Sequence, residues 1–251
     1  MKLLKKILLF LWRVWFVMIA GLPVIIFSPL IYYSIAFDRQ KLFTWLKHLW
    51  GKWVLFWMGF RVQVDSQAEI DPQKSYIIIG NHTSMMDIMA LLQIIRLPFV
   101  FVGKKELSKL PVFGYLYRKS NIMVDRQSPK SRKEVYNQVQ KFIQKGNSIA
   151  IYPEGGVPDP EVLLAPFKNG AFRMAIEHQL PIIPMVYLDN KRKFPYDLFK
   201  GSPGKLRVKI LPVIQTEGLT LEDMPALKDF AYKLIYNELM NDELAKEFTS
   251  S

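Results

Sequence analysis

The pattern of apolar and polar residues divides the chain near residue 60. Long apolar stretches fill the first part, and short apolar runs alternate with stretches of helical periodicity in the second. Short β-rich runs bounded by turn residues predict strands, and apolar residues repeating every three to four positions predict helices. The predicted strands are 61–64, 76–79, 99–102, 122–124, 148–152 and 182–188. The predicted helices cover 84–95, 129–145, 168–178 and 221–247.

Alternating strands and helices predict an α/β domain over residues 61–251, with a mainly parallel sheet covered by helices on both faces. The stretch 207–214 predicts a late edge strand, because Pro212 cannot donate to a ladder. Polar motifs follow three of the strands, at 81–87, 125–126 and 154–156. Ligands of open α/β sheets collect at the carboxyl ends of strands, so these motifs are the candidate site.

Residues 1–60 predict a membrane-anchoring segment of two helices. Residues 14–37 carry no charge, and the stretch is long enough to cross a bilayer as a helix. Gly21, Pro23 and Pro29 within it predict breaks in that helix. Basic residues flank this stretch on both sides, which places both ends at the cytoplasmic face. We therefore expect a monotopic anchor on the cytoplasmic face of the cell's inner membrane. A single span and a buried two-helix core element remain as alternatives.

The second anchor helix, residues 40–60, separates a polar face from an aromatic face. The polar face carries Lys41, Thr44, His48, Gly51 and Lys52, and the other face carries Phe43, Leu46, Trp50, Trp53, Val54 and Trp57. A helix with tryptophan on one side and lysine on the other lies well in a membrane interface. We expect this helix to lie along the membrane surface.

Composition and charge narrow the classes of partner. The chain has 34 basic and 22 acidic residues, a net charge of +12, which suits a nucleic acid, an anionic membrane or an acidic substrate. No nucleic-acid-binding motif is recognisable and part of the charge flanks the apolar segment, so nucleic acid is disfavoured. The absence of cysteine excludes disulfides and thiolate metal sites. With only three histidines in the chain, we do not expect a multi-histidine metal centre.

Residues 77–93, "IIIGNHTSMMDIMALLQ", place a histidine and an aspartate around a strand-to-helix turn. Asp87, in the first turn of the predicted helix, can reach back to His82, fix its tautomer and leave the other ring nitrogen as a base. No serine or cysteine lies in a signature nucleophile elbow, so the pair suits deprotonation of a substrate hydroxyl. A purely structural interpretation stays open, because Ser84-x-x-Asp87 has the pattern of a capping box.

The segment "NHTSMMD" resembles the first signature block of the glycerolipid acyltransferase superfamily, specifically of the 1-acylglycerol-3-phosphate (lysophosphatidic acid) acyltransferase family. Further resembling blocks follow in the family's order. They are "GKKELSKLPVFGYLYRKSNIMVDR" (103–126), "YPEGG" (152–156), "FKNGAF" (167–172) and "LPIIPM" (180–185). The resemblance covers roughly residues 60 to 215, and several ordered blocks are far more specific than one.

The resemblance implies transfer of a fatty acyl group from acyl-CoA or acyl-carrier protein to the free hydroxyl of lysophosphatidic acid, giving phosphatidic acid. It implies no cofactor and no metal, and its partners are a lysophospholipid acceptor, the thioester donor and membrane lipid. His82 would be the base and Asp87 its orienting partner. The residues implied in substrate binding are Asn81, Lys104, Arg126, Glu154, Gly155, Lys168 and Gly170.

The third block departs from the family pattern. The family usually continues Thr-Arg-Ser after Glu-Gly, and this chain continues Gly156-Val157. One possibility is that Lys104, Arg126 or Lys168 binds the acceptor phosphate instead, since an ammonium group binds phosphate as a point charge. The other is that the acceptor has a different head group, as in a lyso-aminolipid. A hydrolase that uses the same pair on water, and a non-enzymatic membrane lipid-binding protein, are further alternatives.

Overall fold

The computed structural model describes residues 2–109, 113–124 and 129–247. Seven strands form one sheet in the order β1-β7-β6-β2-β5-β3-β4. They are β1 (Phe60–Ser66), β2 (Ile77–Gly80), β3 (Phe99–Lys104), β4 (Ile122–Val124), β5 (Ser148–Ala150), β6 (Ile182–Tyr187) and β7 (Gly204–Ile210). Neighbouring strands pair in parallel, except that β6 and β7 are antiparallel. The prediction of a mainly parallel sheet is confirmed.

Helices connect and cover these strands. They are α1 (Lys2–Ile26), α2 (Ser28–Ala36), α3 (Gln40–Trp57), α4 (Met85–Ile94), α5 (Phe113–Ser120), α6 (Pro129–Gln144), α7 (Gly170–Glu177), α8 (Asn190–Lys193), α9 (Met224–Asn241) and α10 (Glu243–Glu247). Two short 3₁₀ segments, Lys105–Lys109 and Leu221–Asp223, precede α5 and α9.

The central strands are buried on both faces, and successive residues serve two different cores. Ile77 and Ile79 of β2 belong to one apolar cluster, together with residues of α6, α7 and α9. Ile78 belongs to the other cluster, together with residues of α1, α3 and α4. Because side chains alternate across a strand, a continuous apolar run is what a doubly covered sheet requires.

The polar face predicted for α3 is wrong in part, because Thr44 and Gly51 are buried. A Cβ at Gly51 would lie 2.7 Å from the carbonyl oxygen of Met89 and 2.8 Å from Cβ of Leu92. The missing side chain therefore lets α3 lie directly against α4. The exposed residues of α3 include Lys41 and Lys52 but also large apolar side chains such as Trp45, at 53% exposure.

The predicted breaks at Gly21 and Pro23 do not occur. Pro23 lies inside α1, and the interruption falls one turn later, at Phe27. The chain stays nearly helical there, since Phe27 donates its N–H to Pro23 at 2.9 Å and accepts from Ile31 at 2.9 Å. Pro23 cannot donate a hydrogen bond within α1, yet the helix continues past it to Ile26.

The first helix has the length and composition of a membrane-crossing segment from Leu3 to Ile26, a test that signal sequences and buried core helices can also pass. Most of α1 is exposed, which distinguishes it from a core helix; Leu3 and Val17 are 73% and 67% exposed. These observations favour membrane association. The division of the chain into an anchoring segment and a domain at residue 60 stays a prediction.

The predicted edge position of residues 207–214 is also wrong. β7 lies inside the sheet, between β1 and β6. The ladder is intact because the strand ends at Ile210, before Pro212. The edge strand on this side is β1, which pairs in parallel with β7 along its whole length.

Candidate active site

The candidate site begins at the turn between β2 and α4. Ser84 is the N-cap of α4, and its hydroxyl accepts from the N–H of Met86 at 3.1 Å. Asp87 completes the reciprocal capping box by accepting from the N–H of Ser84 at 2.8 Å. The sequence pattern of a capping box is therefore real, and it fixes Asp87 beneath the turn.

Asp87 is fully buried and surrounded by hydrogen-bond donors. Its Oδ2 accepts from the N–H groups of Thr83 at 2.6 Å and Ser84 at 2.8 Å, and lies 3.1 Å from Nδ1 of His82. Its Oδ1 accepts from the side-chain amide of Asn190 at 2.8 Å. Since the carboxylate only accepts here, this pattern assigns the imidazole proton to Nδ1 and leaves the lone pair on Nε2.

His82 sits at the carboxyl end of β2 with 15% of its side chain exposed. The ring of Tyr152 stacks on the imidazole, with centroids 4.1 Å apart and planes 14° from parallel. Asp87 at one nitrogen and Tyr152 on one face hold the ring in a single orientation. A base whose orientation is fixed in advance loses little entropy in the reaction.

Asn190 is a site residue that sequence reasoning missed. It lies in α8, 103 positions from the aspartate that it contacts, and is fully buried. The preceding residue, Asp189, accepts from both Nε and one terminal nitrogen of Arg207 at 2.8 Å. Arg207 in turn donates to Asp242 at 2.6 Å. This chain of ion pairs lowers the pKa of Asp189 despite its burial, and it fixes the start of α8 against β7 and the end of α9.

Glu154 supports the main chain of the turn from beneath. It is 5% exposed, its Oε1 accepts from the N–H of His82 at 2.6 Å, and its Oε2 accepts from the N–H of Ala165 at 2.9 Å. Burial raises the pKa of this carboxyl to about 7, although the two N–H donors oppose the shift. The nearness of Glu154 to His82 agrees with a common site, and its contact with the acceptor stays a prediction.

Asn81 joins the same turn to β6. Its amide donates to the carbonyl of Tyr187 at 3.1 Å and accepts from the N–H of Tyr187 at 2.8 Å. The side chain thus continues the β2–β6 ladder past the end of the strand. This explains the conformation of the turn, and a substrate contact for Asn81 stays a prediction.

Gly155 has φ +77, a left-handed conformation that favours glycine. A Cβ there would lie 2.7 Å from Nζ and 2.8 Å from Cδ of Lys168, so the lysine stem lies across this glycine. Gly170 differs, because a Cβ there would meet nothing within 4 Å. It is the first residue of α7, directly after Asn169.

The remaining predicted binding residues lie at or beyond the limits of what is described. Lys104 is described as the last backbone position of β3, where it pairs with Val124. Arg126 lies outside the described residues. Val157, in the departing third block, is 41% exposed and lines the same cavity as His82.

A cavity of about 2370 Å³ adjoins this turn. Apolar side chains of α1, α2, α3 and α4 line most of it, and its polar part includes His82, Tyr152, Lys168 and Gly170. It greatly exceeds the few hundred Å³ of an ordinary small-molecule pocket. Its size and its lining suit long apolar ligands with polar ends.

The arrangement of His82, Asp87 and the cavity is that of a general-base site for apolar substrates. A buried carboxylate orients a histidine beside an apolar cavity, at the carboxyl edge of a parallel sheet. In the described part of the chain, no cluster of three or more histidine, aspartate or glutamate residues could hold a metal ion. The free Nε2 of His82 beside this cavity has the chemistry to take a proton from a hydroxyl on a lipid-like substrate, as a general base does.

Comparison with known proteins identifies a family whose members act on such substrates. The family model described as "Acyltransferase" matches residues 61–188, and the chain belongs to this acyltransferase family. The 1-acyl-sn-glycerol-3-phosphate acyltransferase of Haemophilus influenzae is 33% identical over 68% of this chain and 71% of its own. The alpha form from mouse is 30% identical over 74% of this chain and 67% of its own.

The human beta form is 31% identical over 71% of this chain, which spans 64% of the human protein's length. The crystal structure of the 1-acyl-sn-glycerophosphate (LPA) acyltransferase PlsC from Thermotoga maritima has the same fold. The TM-score is 0.77, with 20% identity, over 96% of this chain and 99% of the other.

Proposed function

We propose that this protein transfers a fatty acyl group from a thioester to the free hydroxyl of lysophosphatidic acid, giving phosphatidic acid for phospholipid synthesis. The observation that carries the proposal is the Asp87–His82 pair beside the large apolar cavity. The family to which the chain belongs, and the names of its relatives from Haemophilus influenzae and mouse, support the reaction class and the acceptor.

The reaction follows from the free nitrogen of His82. Nε2 takes the proton of the acceptor hydroxyl as its oxygen attacks the thioester carbonyl, and the imidazolium that forms is stabilised by Asp87. The tetrahedral intermediate then expels the thiolate, which takes the proton back from Nε2. The new ester carries the acyl group, and the enzyme returns to its starting state. Coenzyme A and acyl-carrier protein present the same thioester, so both are donors to test.

The acceptor phosphate suits the polar end of the cavity. Lys168 lies over Gly155 with its side chain exposed, and α7 begins two residues later. An ammonium group and the N–H groups at a helix N-terminus both favour an anion. We propose Lys168 and the start of α7 around Gly170 as the phosphate site, with Lys104 and Arg126 as further contacts.

A second acceptor class is favoured by one observation. Gly156-Val157 stands where the family usually carries a hydroxyl and a guanidinium, so two phosphate contacts are replaced by apolar or absent side chains. A lysolipid with a different polar head, such as a lyso-aminolipid, would not need them. Hydrolysis by the same His82–Asp87 pair, and lipid binding without chemistry, have no comparable support.

The membrane assignment rests on α1 and the charges around it. The helix is long, apolar and exposed, and the basic residues on both sides of the apolar stretch favour the cytoplasmic face for both ends. We propose a monotopic attachment to the inner membrane, which would give the enzyme its lysolipid acceptor and release its product within the lipid. A protease-protection assay that finds the two termini on opposite sides would replace this arrangement with a single span.

One assay tests the reaction. Membranes containing the full chain are incubated with labelled acyl-CoA, or labelled acyl-carrier protein, and either lysophosphatidic acid or a lyso-aminolipid. His82→Ala should abolish product formation, whereas His178→Ala, at the end of α7, should leave it unchanged. Free fatty acid without phospholipid product would indicate a hydrolase, and unchanged activity in His82→Ala would refute the general base. Product from the aminolipid alone would reassign the acceptor.

A further inference from the structure

The loop of residues 194–200, "FPYDLFK", exposes a cluster of large apolar side chains between α8 and β7. Tyr196 is 51% exposed, Leu198 is 49% exposed and Phe199 is 47% exposed. Three such side chains within four residues are unusual on a surface facing only water. We call this segment the 194–200 loop.

The 194–200 loop is fixed against α1. The guanidinium of Arg13 donates to the carbonyls of Asp197 at 2.9 Å and Lys200 at 2.7 Å. It also lies 3.8 Å from the ring centre of Phe194. About two helical turns earlier, the ammonium of Lys6 lies 5.6 Å from the ring centre of Phe199. The loop therefore lies beside the N-terminal half of α1, the helix with the exposed apolar surface.

The same loop also reaches the catalytic turn. The carbonyl of Phe194 accepts from the hydroxyl of Ser84 at 2.6 Å. Tyr196 lines the cavity together with His82. The 194–200 loop thus lies between α1 and the mouth of the candidate active site.

The charge around the loop is complementary to an anionic surface. Lys193, Lys200 and Lys205 lie within or beside it, and Asp197 is its one acidic residue. Asp197 lies 3.9 Å from the ammonium of Lys200, which is 66% exposed. Basic side chains near a membrane surface favour anionic lipid. Apolar side chains with a basic border are what an interfacial segment presents to lipid.

We propose that the 194–200 loop is a second membrane-contacting element, which inserts Leu198 and Phe199 into an anionic bilayer surface and seats the cavity mouth there. The proposal rests on the proposed function of a membrane-bound acyltransferase. It adds to α1 a contact that sets the orientation of the catalytic turn toward the lipid.

The absence of cysteine makes a direct test available. Phe199→Cys is labelled with an environment-sensitive fluorophore and the full chain is reconstituted into vesicles of phosphatidylethanolamine and phosphatidylglycerol. Phe230→Cys is the matched control, since Phe230 is an exposed aromatic residue on α9, across the sheet from α1. We expect a blue-shifted emission that is quenched by lipids carrying a shallow spin label at position 199, and neither effect at position 230.

The possible results separate the proposal from its alternatives. Equal water-like emission at both positions in a vesicle-bound chain would overturn the proposal. A blue shift at position 199 that depends on protein concentration and resists lipid quenching would instead assign the loop to a second copy of the chain. Failure of the full chain to bind vesicles at all would overturn both the loop contact and the proposed membrane attachment.

A second measurement links the contact to turnover. Leu198→Asp with Phe199→Asp should lower acyl transfer to lysolipid in vesicles by at least about tenfold, because two inserted apolar side chains are lost. Transfer to a short-chain acceptor in detergent should be unchanged, which shows that the site is intact. Equal activity of this variant and wild type on vesicles would refute the proposal. A wild type inactive in every assay would refute the proposed function, and the quenching result would stand by itself.

Discussion

Replacing Asp87 by asparagine tests whether one side chain both caps α4 and orients the base. The new side chain keeps an oxygen that can accept from Thr83 and Ser84, so the capping box survives in neutral form. Its NH₂ group would face the NH₂ group of Asn190. Oδ1 of Asn190 has no hydrogen-bond partner among the described residues, so a flipped amide at position 190 can accept from it. The fold should therefore tolerate the change.

The expected sizes of the two effects differ. Hydrogen bonds to a charged group contribute about 1 kcal/mol more than neutral ones, and relief of a buried charge offsets part of the loss. We expect the free energy of unfolding to fall by only about 1 to 2 kcal/mol. Activity should fall much further, because an imidazolium about 4 Å from a carboxylate gains up to about 4 kcal/mol at an effective dielectric constant of about 20. That energy corresponds to a loss of tens to about 1000-fold in kcat.

The assay compares kcat and thermal unfolding for four variants in detergent. His82→Ala should lose the whole contribution of the base, about 100- to 10,000-fold, and so more than Asp87→Asn. Asp87→Ala takes the acceptor from four N–H donors, those of Thr83, Ser84, His82 and Asn190, at about 1 to 3 kcal/mol for each that is buried, and should barely fold. Asp223→Asn is the control, because Asp223 caps the 3₁₀ segment before α9 by accepting from Thr220 at 2.8 Å, without a histidine beside it. An Asp87→Asn variant that is stable and fully active would refute the catalytic pair.

Three further variants have matched controls or a defined pH signature. Gly155→Ala should raise KM for lysophosphatidic acid, because the new Cβ would displace Lys168. Gly146→Ala is its control: this glycine has the same φ of +77 and no neighbour within 4 Å, so the change should cost only about 1 to 2 kcal/mol of stability through backbone strain and leave KM unchanged. Burial raises the pKa of Glu154 from 4.5 to about 7, so folding binds a proton between those pH values and the free energy of unfolding should fall as the pH rises from 4.5 to 7. Glu154→Gln should remove this slope when denaturation is measured as a function of pH. A slope that remains in the variant would place its origin at another group. Gly51→Ala should destabilise the protein by about 1 to 3 kcal/mol through overpacking. Gly21→Ala, with open space around it, should leave the melting temperature equal or higher, and equal losses for both glycines would contradict the close packing at Gly51.

The local parts of the structure were predictable from the sequence. β2 and α4 lie within one or two residues of the predicted ranges, because an apolar run, a capping box and helical periodicity are all encoded nearby. The His82–Asp87 contact follows from the same turn, since a residue at the third position of a helix faces back over its own N-cap.

The parts that depend on distant residues were not predictable in this way. β7 was expected at an edge, but strand order is decided by pairings across the whole chain, and β1 pairs with it across more than 140 positions of sequence. Gly51 looked like a member of a solvated face, because a glycine carries no sign of which neighbour approaches it. Asn190 had no signal of its own, since its partner lies 103 positions earlier.

The capping and catalytic interpretations of the turn between β2 and α4 share one atom. Oδ2 of Asp87 accepts from the N–H groups that begin α4 and also lies against Nδ1 of His82, so the cap holds the carboxylate against the imidazole. Local rules alone cannot separate the two roles, because the same aspartate stands three residues after the N-cap Ser84 and five residues after His82. The difference lies at long range: Asn190 supplies the second oxygen's donor, Glu154 holds the main chain of His82, and a cavity adjoins the turn. A cap needs none of these, whereas each of them would serve a base acting on a lipid hydroxyl.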